Sequence, residues 1–166
     1  VKTAIGTGLD LSALPLSELR KFDARIGEDV FEVLTLRGSL NTFNNPLALA
    51  ALNVSGTSSI NPGSAVTGSV TLGATVLANG TVLTIGSGSS GAIDIASVAG
   101  TASGASASLT LDTTGAISIA GSIGTNINNL ILAHSGSATF GGAVTVSNLD
   151  IQSVVAGSTV AFNGNT

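Results

Sequence analysis

Residues 109–144 contain one pattern twice, at a constant offset along the chain. The first copy begins with Leu109-x-Leu111 and the second with Leu130-x-Leu132, and both then read L-x-L-x-x-[ST]-G-x-x-[ST]-[IF]-x-G-x-[IV]. Repeats of about this length, with alternating apolar positions, are typical of architectures whose units bury their apolar faces against neighbouring units. The sequence therefore predicts an elongated repeat protein that is mainly β.

A looser third copy of the pattern follows, in which Leu149 and Ile151 precede Gly157, Phe162 and Gly164. β-branched residues and alternation predict strands across the region. They are Ser69–Leu72, Thr75–Leu77, Val82–Ile85, Ala92–Ala96, Ser108–Leu111, Ala116–Ala120, Leu130–Ala133, Ala138–Phe140, Ala143–Val146, Asn148–Ile151 and Thr159–Asn163. A hairpin alone is marginal in water, so the units must stack.

Two kinds of stacking fit these strands. Hairpins from three chains can intertwine into a trimeric fibre, or one chain can coil into a parallel β-solenoid. Asn79-Gly80 is a strong hairpin signal because both residues can adopt positive φ. This signal favours intertwined hairpins, and the irregular spacing of the apolar pairs speaks against a strict solenoid. The fold class stays open between these two forms.

Composition excludes several protein classes. Only 8% of residues are charged while the mean hydropathy is +0.56, the opposite of a disordered chain. The longest apolar run, Leu47–Leu52, is far shorter than the roughly 18 residues of a membrane span, so we expect no membrane insertion. The absence of cysteine excludes disulfides and cysteine-ligated metals. The chain starts at Val1 without an initiator Met, and we expect a processed chain or a fragment.

Charge divides the chain into two parts. All five basic residues and six of the nine acidic residues lie before Gly38, and only Asp94, Asp112 and Asp150 are charged after it. We expect residues 1–50 to form a small α/β anchor or cap that binds a partner on a virion or cell surface. Residues 51–166 would form a low-charge β-repeat shaft, with its clearest repeats at 109–123 and 130–144.

The anchor holds one predicted helix, in which four apolar residues recur at helical spacing (Leu16, Leu19, Phe22 and Ile26). Ser17 can cap this helix and Gly27 can end it. Val30–Arg37 reads as a strand, and Leu47–Leu52 fits either a short helix or a buried strand.

Candidate chemical groups are few. His134 is the only histidine, with Ser135 beside it, and we interpret it as a solvated turn residue. A calcium site would need six to eight oxygens, whereas Asp94, Asp112 and Asp150 are isolated and read as turn residues. The acidic cluster of Glu28, Asp29 and Glu32 reads as a solvated loop and strand start. We therefore expect no catalytic, metal or cofactor-binding residues.

Two further site types are also not expected. Gly86–Gly91 is rich in glycine but lacks the lysine and the following helix of a phosphate-binding loop. No basic patch lies beyond Arg37, so nucleic acid would meet a negatively charged repeat region.

The segments LTLDTTGAISIAGSIGT (Leu109–Thr125) and LILAHSGSATFGGAVTV (Leu130–Val146) resemble the short β-repeats of tailed-phage tail and head fibres. Together with VAFNGNT (Val160–Thr166) they are also similar to strand repeats of bacterial autotransporter adhesins and S-layer proteins. The resemblance begins at Leu109 and includes the looser third copy, but it does not extend to Val1–Asn45.

Either resemblance implies a non-enzymatic, homo-oligomeric structural protein on a virion or outside a cell. The first expectation is a trimeric fibre shaft for phage attachment or host recognition. The alternative is a secreted bacterial surface protein of S-layer or adhesin type, with a β-solenoid or sandwich repeat. A third reading, a β-helical polysaccharide lyase or hydrolase, would need clustered carboxylates or basic groups that the repeat region lacks.

Overall fold

The computed structural model describes residues 33–101 and 106–165. These residues form eleven strands and contain no helix. The strands are β1 (Leu34–Asn41), β2 (Leu47–Asn61), β3 (Val70–Leu77), β4 (Val82–Ser89), β5 (Ile93–Gly100), β6 (Ala107–Thr113), β7 (Ile117–Ile119), β8 (Ile123–His134), β9 (Ala138–Phe140), β10 (Val144–Ile151) and β11 (Val160–Phe162). The predicted helix around Leu16 and Ile26, like most of the predicted anchor, lies outside the described residues.

The paired strands among these residues are all parallel, and most strands pair with strands one turn before and after them in the chain. Parallel neighbours cannot be joined by a tight hairpin, because the chain must return to the same end of the sheet first. Here it returns by coiling, and the described residues form a β-solenoid of about 5 turns. The prediction of an elongated, mainly β repeat architecture is confirmed in its solenoid form.

Registers between successive turns divide the coil into three faces. Face 1 stacks residues 47–49, 70–72, 93–95, 117–119, 138–140 and 160–162. Face 2 stacks 34–36, 52–54, 75–77 and 98–100, then Ile123 and Val144. Face 3 stacks 38–40, 58–60, 83–85, 109–111, 130–132 and 149–151. One turn therefore passes through face 1, face 2 and face 3 in that order.

The repeat seen in the sequence is one turn of this coil. Leu109 pairs with Leu130, Ile119 with Phe140, and Ile123 with Val144, so each copy lies directly on the other. The stacked segments of face 1 are not equally spaced along the chain, so the turns differ slightly in length. The corners between the faces and a few register shifts absorb the difference, and the segments of each face stay stacked.

The preference for intertwined hairpins was wrong. Asn79-Gly80 does form a tight turn, with Gly80 at φ 74°, but the strands β3 and β4 that flank it do not pair with each other. The turn is instead the corner at which the chain leaves face 2 for face 3. Any tight turn can use the positive φ that an Asn-Gly pair readily adopts. The dipeptide alone therefore does not distinguish a hairpin turn from a corner of a solenoid.

The interior is a set of apolar columns, because alternate residues of each strand point into the coil. On face 1, one buried column contains Leu49, Leu72, Ile95, Ile119 and Phe140. Leu47–Leu52, which could have been a short helix or a buried strand, belongs to strand β2. Strand β1 and the start of β2 already pair with the coil although they precede residue 51.

Glycine occupies corners where two turns approach closely. A Cβ on Gly142 would lie 2.6 Å from the carbonyl oxygen of Gly121 one turn earlier, and Gly164 stands in the same relation to Gly142. A methyl group has no room at that distance from backbone. The last glycine of the repeat pattern is therefore needed because a side chain there would collide with the backbone of the preceding turn.

Candidate interaction surfaces

The three aspartates of the repeat region lie in three different settings. Asp94 is exposed on the outside of face 1, Asp112 lies at the end of β6, and Asp150 lies on the last turn of face 3. Among residues 33–101 and 106–165 no three His, Cys, Asp or Glu side chains come close enough to hold a metal ion. The predicted acidic cluster Glu28, Asp29 and Glu32 lies outside these residues.

His134 has a partner that the sequence did not indicate. Its Nδ1 lies 2.7 Å from Oδ1 of Asp112, and the two residues are register partners on successive turns. The side chains are 56% and 21% exposed, so water competes for both groups. The contact joins two turns at the surface and agrees with a solvated histidine at a turn.

The neighbouring serine is not placed for catalysis. Ser135 is fully buried and its hydroxyl makes no hydrogen bond to any residue that the structure describes, whereas His134 is exposed. Successive residues of an extended chain point to opposite sides, which separates the serine hydroxyl from the imidazole. A histidine acting as base must lie within hydrogen-bond reach of its nucleophile, and this pair does not meet that condition.

Gly86–Gly91 forms the corner between face 3 and face 1. Gly86, Ser87 and Gly88 have positive φ values of 114°, 52° and 76°. A phosphate-binding loop leads into a helix, whose N-terminal amide groups bind the phosphate. This corner leads into strand β5 instead. The corner turns the chain from face 3 back to face 1.

The outer surface of face 1 is covered by small side chains. Its central column contains Ala48, Thr71, Asp94, Ser118, Thr139 and Ala161. One member of this column, Asp94, is charged, and none is aromatic. Such a surface is flat and offers few groups for recognising a small ligand, but it allows another flat surface to approach closely.

A ladder of polar side chains connects three turns near the start of face 3. The Asn129 amide donates a hydrogen bond to Ser108 Oγ at 2.9 Å, and the Asn148 amide donates to Asn129 Oδ1 at 3.4 Å. The three residues are register partners. Sequence reasoning overlooked the ladder, although the spacing between its members is close to the offset of the repeat.

The last turn leaves one edge of the coil open within the described residues. Strands β10 and β11 stand at the two ends of the strand order and pair there only with β8 and β9. We name residues 148–152 and 160–162 the C-terminal edge. Leu149 and Ile151 are exposed there, while Leu130 and Leu132, which lie below them, are fully buried.

Comparison with known proteins gives short matches. The chain is 57% identical over 44 residues to argininosuccinate lyase of Paracidovorax citrulli, covering 26% of this chain and 9% of that enzyme. It is 56% identical over 41 residues to the enzyme of Stutzerimonas stutzeri, with 25% of this chain and 9% of that enzyme covered. For the enzyme of Pseudomonas fluorescens the identity is 53% over 45 residues, with 27% and 10% covered. The matched segment thus spans about a tenth of these relatives.

No family model matches the chain, and no solved structure matches it. No helix among the described residues is both long enough and apolar enough to cross a membrane.

Proposed function

We propose that this chain is a non-enzymatic structural protein, a rod-like part of a bacterial cell-surface assembly of the adhesin or S-layer type. The observation that carries the proposal is the stacking of three faces in one chain over about 5 turns. At the usual strand spacing of about 4.8 Å, these turns give a rod roughly 24 Å long. Such a coil lengthens with each added repeat, which suits a spacer.

The chemistry of the described surface supports a structural role. In this part of the chain Asp94 is isolated, Asp112 contacts His134, and Asp150 accepts a hydrogen bond from the Gln152 amide at 2.8 Å. Glycoside hydrolases need a pair of carboxyl groups on either side of a bond, and general acid–base catalysis needs groups within reach of one substrate. We therefore assign no reaction to the shaft, and a segment covering a tenth of a lyase carries no lyase activity to it.

A bacterial surface protein is favoured over a virion fibre because each turn closes its own core. Leu83, Leu109 and Leu130 stack within one chain and need no sister chain to be buried. A trimeric fibre of intertwined chains would instead share its core among three copies. The self-contained coil matches the solenoid form of the surface-protein hypothesis.

A trimeric phage tail or head fibre remains the second candidate because of face 1. Its outer column of small residues, such as Thr71, Ser118 and Thr139, allows three copies to pack side by side. The residues that precede β1 would then mount the shaft on the virion, whereas on a cell they would bind a partner in the envelope.

Localisation tests the proposal directly. Antibodies against residues 51–166 should label the outer surface of intact cells of the encoding organism, and a cytoplasmic protein detected in parallel should stay unlabelled. Labelling of purified virions, with no labelling of uninfected cells, would support the second candidate. Recovery of the protein only from the cytoplasm would contradict both.

A further inference from the structure

The corner at Asn79-Gly80 is open, whereas other corners of the coil press against the backbone of the preceding turn. Both residues are exposed, and the nearest atom to a Cβ on Gly80 would be Ser106 Oγ at 3.7 Å. The Thr81 amide and hydroxyl close the corner by donating to the Ala78 carbonyl oxygen, at 3.2 and 2.8 Å. The Gly80 amide donates no hydrogen bond to any residue that the structure describes. No described hydrogen bond therefore has to break before the Gly80 nitrogen moves.

The side chain of Asn79 is already polarised by the next turn. The Ser106 amide donates a hydrogen bond to Asn79 Oδ1 at 3.3 Å. An asparagine side-chain carbonyl can be attacked by the amide nitrogen of the following residue, and glycine hinders this attack least because it has no side chain. Negative charge develops on Oδ1 during the attack, and a donor that already points at this oxygen stabilises that charge. The corner thus combines an unhindered nucleophile with an activated carbonyl.

We propose that Asn79 is a site of spontaneous deamidation, which the fold favours over the other Asn-Gly pair of the chain. The Gly80 amide loses its proton to hydroxide, and its nitrogen bonds to Asn79 Cγ. The Cγ–Nδ2 bond then breaks, and Nδ2 takes a proton from water and leaves as ammonia. The product is a five-membered succinimide. Water opens this ring at either of its carbonyl carbons, which gives aspartate or isoaspartate.

The other pair, Asn163-Gly164, is held against the preceding turn. The Asn163 amide donates to the Phe140 carbonyl oxygen at 2.8 Å, and a Cβ on Gly164 would collide with the backbone of Gly142. The Asn163 side chain accepts no hydrogen bond from a described residue, so its carbonyl lacks the activation that Asn79 has. Closing a succinimide at Asn163 would therefore first require the backbone to leave the turn below it.

Deamidation would change the chemistry of a surface that has few charges. It adds one negative charge to a chain whose formal net charge is −4. The isoaspartate product also lengthens the main chain by one atom, at the corner that links β3 to β4. The inference does not depend on the surface-protein function, since it needs only the geometry of the two Asn-Gly pairs.

Peptide mapping of the folded 166-residue chain, stored in mildly alkaline buffer, tests the proposal. Chymotrypsin is the suitable protease because no lysine or arginine follows Arg37. Each conversion raises the mass of a peptide by about 1 Da, and tandem mass spectrometry locates it at Asn79 or Asn163. We expect Asn79 to convert several-fold faster than Asn163 in the folded chain. In concentrated urea the two rates should become similar, because the fold no longer distinguishes the pairs.

Two variants of Ser106 test the hydrogen bond to Asn79. Ser106→Pro removes the amide donor and should slow conversion of Asn79 by roughly two- to tenfold, the range expected for one neutral hydrogen bond. Ser106→Ala keeps the donor and is the matched control, so it should leave the rate unchanged. Circular dichroism shows whether each variant keeps the coil.

The comparison of Asn79 with Asn163 needs no variant, so it decides the proposal even if Ser106→Pro fails to fold. Equal rates at the two asparagines in the folded chain, or faster conversion of Asn163, would overturn the proposal. An unchanged rate at Asn79 in a folded Ser106→Pro variant would also overturn it, because the donor would then have no effect.

Discussion

Gly136 lies directly over Gly115 on the preceding turn. Its amide donates a hydrogen bond of 2.9 Å to the Gly115 carbonyl oxygen, and a Cβ on Gly136 would lie 2.6 Å from that same oxygen. A Cβ on Gly115 would likewise lie 2.6 Å from the carbonyl oxygen of Gly91. A column of glycines therefore lets the corner between face 3 and face 1 close on successive turns.

Replacing Gly136 with alanine should destabilise the coil by about 1–3 kcal/mol, the usual cost of forcing a methyl group into packed structure. The contact is with backbone, so no side chain can rotate away to relieve it. Urea unfolding followed by circular dichroism measures the change.

Gly124→Ala, in β8 where the chain leaves face 2, is the matched control. Its added Cβ would lie 3.5 Å from the nearest atom, the Val98 carbonyl oxygen, which is an ordinary contact. We expect a change within about 0.5 kcal/mol. Equal losses for Gly124→Ala and Gly136→Ala would mean that the cost comes from replacing glycine in general and not from the close approach of two turns.

Phe140→Ala should cost about 3–5 kcal/mol, because it removes a fully buried ring from the interior of the coil. Phe162→Ala should cost clearly less, because Phe162 lies on the last turn and is only partly buried. Thermal unfolding of both variants, with the exposed Thr139→Ala as control, tests this order. A larger loss for Phe162→Ala would show that the last turn is covered in solution.

Gly80→Ala should destabilise the coil by about 1–2 kcal/mol through backbone conformation alone. Gly80 has φ 74°, while the nearest atom to an added Cβ is Ser106 Oγ at 3.7 Å, so space is available. Gly80→Asn should lose less, since asparagine tolerates this conformation better than alanine does. Equal unfolding midpoints for the two variants would contradict the conformational explanation.

His134→Ala should change stability by less than about 1 kcal/mol, because the contact with Asp112 is at the surface and both groups keep access to water. Asp112→Asn should have a similarly small effect. Chemical unfolding of the two single variants and the double variant measures the coupling between the residues. A coupling of several kcal/mol would mean that the pair has a role beyond joining two turns.

The sequence predicted the strands of the shaft well because their apolar residues alternate. Leu109 and Leu111, and their counterparts Leu130 and Leu132, lie where the repeat placed them, one turn apart. Alternation does not show, however, whether neighbouring strands run parallel or antiparallel. The turn residues Asn79-Gly80 therefore decided the prediction, and they favoured antiparallel hairpins. The constant offset between the two copies was the better guide, since it holds for every position of the pattern, including both glycines.

Surface contacts between turns were harder to predict. The register shifts after Leu111, so the strict offset of the repeat does not align Asp112 with His134. The open C-terminal edge was also hidden, because Leu149 and Ile151 read as core residues in the repeat. Their exposure depends on which turn lies above them, and the repeat pattern alone does not contain that information.

Paired cysteines test the parallel coil most directly, and the chain has no native cysteine to interfere. Ser118 and Thr139 are register partners on successive turns of face 1, so their Cα atoms are about 4.8 Å apart, within the range that a disulfide spans. Thr71 and Ser118 are two turns apart, at about 9.6 Å, which is too far. Mild oxidation of Ser118→Cys/Thr139→Cys should give an intrachain disulfide in the monomer, while Thr71→Cys/Ser118→Cys should keep free thiols. Disulfides between chains in the first variant, or an intrachain disulfide in the second, would contradict the single-chain solenoid.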